Sequence, residues 1–215
     1  MPNQIQEYLA AARERQLNEL IDWLRIPSIS ALPEYKADVH RAAEWLAEHM
    51  AAAGLEHVRV IESDIHPLVY ADWLHAGPDA PTVLCYGHFD VQPVDPLDKW
   101  ETPPFSPTQR GDDLYARGAS DDKGQTYIHV KAVEALLKTG GKLPVNVKFL
   151  VEGEEEFGGE TIDAYVKSHQ GELACDAVLI SDTHILSPSR PSIIYGLRGM
   201  WAAELTVTTA RRDLH

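Results

Sequence analysis

The chain has 215 residues, 44% of them hydrophobic, and a formal net charge of -14. That length allows one well-buried domain and at most a small or partial second one. The acidic balance offers no electrostatic footprint for a nucleic-acid backbone or an anionic membrane surface, so neither is expected as a partner. Nothing at the N-terminus reads as a basic region followed by an apolar signal core, and no apolar run approaches membrane-spanning length. The two cysteines, Cys85 and Cys175, lie far apart in apolar segments. They read as core thiols of a reducing compartment, the cytoplasm, rather than as a disulfide framework.

In chain order, apolar residues at helical spacing from Ile5 to Leu24 predict an amphipathic helix closed by Pro27. A second helix is expected from Ala37 to Ala53, burying Val39, Ala43, Leu46 and Met50 and ending at Gly54, which suits a left-handed cap. The segments 57–61 and 68–73 alternate like half-exposed strands, whereas Thr82 to Tyr86 is a continuous apolar run suited to a central strand. The proline-rich stretch from Val94 to Arg110 reads as a long ordered loop. A helix from Lys123 to Lys138 ends at Gly140-Gly141, and a shorter one runs from Thr161 to Ser168. Further central strands are expected at 145–151 and 177–180. Strands alternating with helices predict an α/β fold, a mainly parallel sheet covered by helices on both faces. Near Pro191 the pattern changes: 193–195 and 200–208 read as strands with no helix between them. The expected domains are therefore 1–190, an α/β unit, and 191–215, the first strands of a smaller α+β unit inside which the sequence stops.

In an open α/β sheet ligands bind at the carboxyl ends of the strands. The run ending at Tyr86 delivers Gly87-His88-Phe89-Asp90, and the run ending at Val151 delivers Glu152-Gly153-Glu154-Glu155-Glu156. The strand ending at Ile180 delivers Ser181-Asp182, while Asp121-Asp122 opens a helix. One imidazole with several carboxylates and no cysteine is a ligand set for zinc or manganese, and three separate carboxylate positions favour two ions over one. Asp90 stands two residues beyond His88, so in extended backbone both side chains face one way and the carboxylate can take the proton of the ring nitrogen that binds no metal. One of Asp121 and Asp122 suffices to cap the helix, which leaves the other for a further task. Asp182 alone reads as an N-cap, and only its place on the same rim promotes it. The run Glu154 to Glu156 would ordinarily be a solvated turn, but it follows a buried strand.

These motifs resemble the dinuclear zinc peptidases that include cytosolic nonspecific dipeptidase, carnosinase, glutamate carboxypeptidase, acetylornithine deacetylase and succinyl-diaminopimelate desuccinylase. The residues that carry the resemblance are Gly87 to Pro93, Trp100 to Pro107, Arg117 to Gly124, Glu152 to Gly159 and Arg212 to His215, in the family's order. The Val-Gln-Pro and Ser-Asp-Asp-Lys-Gly wording is most similar to the dipeptidase branch. The resemblance implies His88, Glu156 and Asp182 as terminal metal ligands, with Asp121 bridging two divalent ions, zinc by preference and manganese or cobalt as alternatives. It implies Glu155 as general base, Asp90 as the residue holding His88, and a cis peptide between Asp121 and Asp122. It leaves Glu154 as a variable neighbour. It also implies a lid domain that carries His215 as an oxyanion donor and forms a homodimer. A second terminal histidine matches none of the ten histidines present, so the expectation is a chain cut off before its site is complete and inactive alone.

The implied reaction is hydrolysis of a dipeptide or N-acyl amino acid by an activated water, with Glu155 taking the water's proton and passing it to the leaving amine. The competing readings are a deacylase or desuccinylase on the same scaffold, a noncatalytic module that keeps the fold, and a magnesium-dependent phosphoryl-transfer enzyme. Absence of a Gly-x-x-x-x-Gly-Lys loop counts against the last.

Overall fold

The chain divides into two units, Met1–Asp182 and Thr183–His215. A computed structural model describes residues 2–187 and 189–209. The first unit opens with helices α1 (Pro2–Leu24) and α2 (Lys36–Ala53), followed by strands β1 (Glu56–Ile61), β2 (Leu68–Trp73) and β3 (Thr82–His88). A short hairpin, β4 (Thr108–Arg110) and β5 (Asp113–Tyr115), precedes helix α3 (Lys123–Gly140), strand β6 (Asn146–Glu152), helices α4 (Glu160–Ser168) and α5 (Gln170–Leu173), and strand β7 (Ala177–Ile180). Helix α2 ends where expected, with Gly54 in the left-handed region at φ 101°, a conformation that suits a residue without Cβ.

The main sheet has the order β1-β2-β6-β3-β7. Strand β2 runs antiparallel to both β1 and β6, whereas β3 is parallel to β6 and to β7. The sheet is therefore mixed, and its parallel half carries the expected crossovers. One face buries Val147, Phe149 and Val151 of β6 with Val69 and Ala71 of β2 against Leu46 and Met50 of α2 and Val130 of α3. The other face buries Leu68, Tyr70, Leu84 and Leu150 beneath Leu173, with Ile162 and Tyr165 of α4 packed alongside. Alternate residues of each strand go to opposite faces, so a strand covered on both faces buries every position. Registers that place His88 beside Glu152 and Tyr86 beside Ile180 bring the carboxyl ends of β3, β6 and β7 to one rim.

Several sequence expectations are corrected. Strand β2 is not half-exposed: all six residues are buried, because it lies inside the sheet with helices over both faces. Strand β7 is not central but an edge, paired only with β3 among the described residues, and Val178 and Ile180 are 55% and 56% exposed. Cys175, just before that edge, is exposed, while Cys85 in β3 is buried as expected. The stretch from 94 to 110 is less purely loop than its prolines suggest, since its end pairs into the β4–β5 hairpin.

In the second unit, the strands expected at 193–195 and 200–208 do not form; the described residues 191–209 carry no regular element. A strand is stabilised by a hydrogen-bonded neighbour, and among the described residues of this unit the single bridge joins Ser187 to Arg190. Among the described residues no helix is long and apolar enough to cross a membrane.

Candidate metal centre

His88 ends β3 with its side chain fully buried. Its Nε2 lies 3.2 Å from Asp121 Oδ1, 3.5 Å from Asp182 Oδ2 and 3.9 Å from Glu155 Oε2. Ligand atoms of His88, Asp121 and Asp182 all fall within 4.8 Å of one another. Three segments remote in sequence thus converge as the strand-end reading expected.

Helix α3 is held tightly against β3. A Cβ on Gly87 would stand 2.1 Å from Thr126 Oγ1 and 2.7 Å from Asp122 Oδ2, so only glycine admits this approach. Asp122 is 1% exposed. Its Oδ2 accepts from the His88 backbone N–H at 3.2 Å and from the Thr126 hydroxyl at 2.9 Å. The two aspartates therefore divide the labour: Asp122 fixes the backbone of the histidine, and Asp121 turns its carboxylate to the rim. The peptide bond between them is cis. Lys123 is fully buried and donates to the carbonyls of Trp23 and Ile26 at 3.2 and 2.8 Å. This bolts the start of α3 to the end of α1.

Asp90 is fully buried and does more than face His88. The His88 Nδ1–H donates to the Asp90 backbone carbonyl at 3.1 Å, with the Asp90 carboxylate at 3.4 Å. That carboxylate accepts from Ser30 Oγ at 2.6 Å and from the backbone N–H groups of Glu155 and Glu156 at 3.2 and 3.0 Å. One side chain thus links the histidine strand to the acidic turn. Glu156 is engaged instead by Gln92, its carboxylate accepting from Gln92 Nε2 at 2.7 Å. Ser30 was not singled out in the sequence, and the contacts of Gln92 and Asp122 were not anticipated there, since the partners of all three lie 34 to 64 residues away. His215 lies outside the described residues.

The electrostatics are lopsided. Burial opposes protonation of His88, but the carboxylates of Asp90, Asp122 and Glu155 outweigh it and push the imidazole up to about 10. Burial, and then the neighbouring charges of Asp182, Asp90 and Asp121, raise Glu155 against the opposing pull of His88. Burial likewise raises Glu152, beside His88 in register, to about 7. Carboxylates crowded in this way call for a cation.

The description "Peptidase family M20/M25/M40" matches residues 84–209. Human "Beta-Ala-His dipeptidase" is 30% identical over 97% of the chain and 44% of its own length. The "Cys-Gly metallodipeptidase dug1" of Schizosaccharomyces pombe is 30% identical over 99% of the chain and 47% of its own. The chain spans about half the length of the curated relatives it matches. Among solved structures, the metallo-carboxypeptidase Sso-CP2 of Sulfolobus solfataricus superposes with a TM-score of 0.72 at 38% identity, over 81% of this chain and 38% of that one. The family match takes in every strand-end segment that meets at the rim and more than half of the chain, which places the chain in peptidase family M20/M25/M40.

Proposed function

We propose that this chain forms the metal-binding rim of a dipeptidase that cleaves a peptide bond with the help of two divalent ions, zinc by preference. The observation that carries the reading is His88 Nε2, a buried ring nitrogen with no hydrogen-bond partner, aimed at the carboxylates of Asp121, Asp182 and Glu155. The donor set fits a divalent ion: the ring nitrogen and carboxylate oxygens are zinc or manganese ligands, and in the neutral ring that a metal would bind, the Nδ1–H bond to the Asp90 carbonyl puts the lone pair on Nε2. His88, Asp182 and Glu156 would serve as terminal ligands and Asp121 as the bridge. Glu156 would exchange its Gln92 contact for this role. When bound, the ions would lower the pKa of a water and polarise the scissile carbonyl.

Glu155 is the general base of this proposal. Its raised carboxyl sits on the rim beside His88, a pKa direction that suits a group which must take a proton and then give it to the leaving amine. Asp90 fixes the approach of Glu155 through the backbone. Substrates are dipeptides, in keeping with the names of the relatives.

The test is Glu155→Gln. In a protein that spans the full length of these relatives, hydrolysis across a panel of dipeptides should fall roughly a hundredfold or more while metal content is kept. Full activity in this variant, or N-acyl amino acids outrunning every dipeptide with the unmodified protein, would contradict the reading.

A further inference from the structure

The acidic run separates into one buried residue and two at the rim. Glu154 is fully buried. Its Oε1 accepts from the His66 backbone N–H at 3.0 Å and from the Thr161 hydroxyl, and its Oε2 accepts from the Thr161 backbone N–H at 3.1 Å. Its own carbonyl accepts from the N–H groups of Phe157, Gly158 and Gly159 at 3.0, 2.8 and 3.0 Å. The turn is thus wound on the backbone of Glu154, while its carboxylate ties that turn to the segment before β2 and to the first turn of α4.

A second anchor comes from the opposite side, where Asp90 takes the N–H groups of Glu155 and Glu156. The two anchors are themselves joined: Ser30 donates its hydroxyl to Asp90, and its backbone carbonyl accepts from His66 Nε2 at 3.0 Å. Glu155 and Glu156 therefore sit on backbone held from both sides. Burying a carboxylate is expensive, and an apolar side chain of similar volume commonly serves stability as well or better. A buried charge whose hydrogen bonds go to three separate donors fixes a geometry that an apolar filler would leave loose.

We propose that Glu154 is a positioning residue whose buried carboxylate sets the direction in which Glu155 and Glu156 present their side chains. This rests on the reading of Glu155 as base and Glu156 as ligand, but it is tested separately. The substitutions are Glu154→Met, which keeps volume and removes both acceptors, and Glu154→Gln, which replaces one acceptor by a donor. Amide hydrogen exchange at Glu155 and Glu156, the visible spectrum and affinity of bound Co2+, and the thermal midpoint are measured on each. For Glu154→Met the expected result is exchange at least about tenfold faster at the two amides, Co2+ affinity about tenfold weaker with an altered spectrum, and a folded protein. Glu154→Gln should fall between it and the unmodified protein. With a dipeptide substrate, kcat should fall while KM changes little.

Unchanged amide exchange and an unchanged Co2+ spectrum in Glu154→Met would overturn the proposal, whatever the thermal midpoint does. Should that variant fail to fold, Thr161→Val removes one donor and should show the same changes at smaller amplitude; no change there overturns the proposal equally. His88→Ala is the control for the metal reading. If it leaves Co2+ binding intact, the metal assignment fails, and amide exchange alone still decides the role of Glu154.

Discussion

Two clusters of charge lie on this chain, and they are built on opposite plans. Between α1 and α3, Lys131 pairs with Glu19 at 2.6 Å and Glu134 at 2.7 Å, while Arg15 pairs with Glu19 at 2.6 Å and also with Glu134. Tyr8 and Tyr127 donate their hydroxyls into the same group. Two acids meet two bases, and burial, which would raise Glu134, is outweighed by its bonds to Arg15, Lys131 and Tyr8, so the carboxyl falls to about 2. At the rim, Asp90, Asp121, Asp122, Glu155 and Asp182 surround a single imidazole, and Glu155 and Asp122 are raised rather than lowered. A balanced cluster stabilises the fold as it stands. An unbalanced one is relieved when a cation joins it, and that contrast supports the rim as the proposed metal site.

Acid-to-amide and charge-deleting substitutions separate the two plans. The largest effect is expected for Lys131→Met, which leaves Glu19 and Glu134 sharing one exposed arginine; loss of one partner of a buried pair costs about 3 kcal/mol or more, read as a shift in the urea midpoint. Glu134→Gln should cost about 2 kcal/mol, the scale of lost charge-assisted hydrogen bonds. The same exchange at the rim, Asp182→Asn, should leave the metal-free protein unchanged or more stable by up to about 1 kcal/mol, since it relieves repulsion. A destabilisation by Asp182→Asn equal to that of Glu134→Gln would erase the distinction.

Acid sharpens the comparison further. A carboxyl whose folded pKa is depressed contributes stability that is present above its unfolded value and lost as pH falls through the folded one. For Glu134 that window runs from its ordinary 4.5 down to about 2. The acid limb of the unfolding curve should be shallower in Glu134→Gln than in the unmodified protein. The smallest effect is a proton count. The surrounding carboxylates favour the protonated form of His88 in the metal-free protein, and a ligating imidazole must be neutral, so metal uptake at pH 7 should release up to about one proton. Calorimetry in buffers of different ionisation enthalpy reads this directly, and His88→Ala should remove the release.

Much of the site was legible because strand ends are local signals. His88, Asp121 and Asp182 each follow an apolar run or open a helix, and the parallel half of the sheet then brings them together whatever the details of packing. Glu154 was not legible: its burial depends on His66, which lies 88 residues away, and a run of three glutamates ordinarily reads as solvated. Asp90 was half legible, since the spacing from His88 is local but its hold on the acidic turn is not. The edge position of β7 escaped for a related reason. A continuous apolar run reports burial on two faces, whereas strand order is set by pairing, which the run does not encode.

Titration with Zn2+ or Co2+ followed by a thermal midpoint tests most directly whether the rim takes up a divalent cation through His88 and Asp121 while the α1–α3 cluster takes none. The unmodified protein and Glu134→Gln should both bind the metal and gain stability with rising metal concentration. His88→Ala and Asp121→Asn should show little or no gain. Metal-dependent stabilisation that persists in His88→Ala and Asp121→Asn, or its absence in the unmodified protein, would contradict the account.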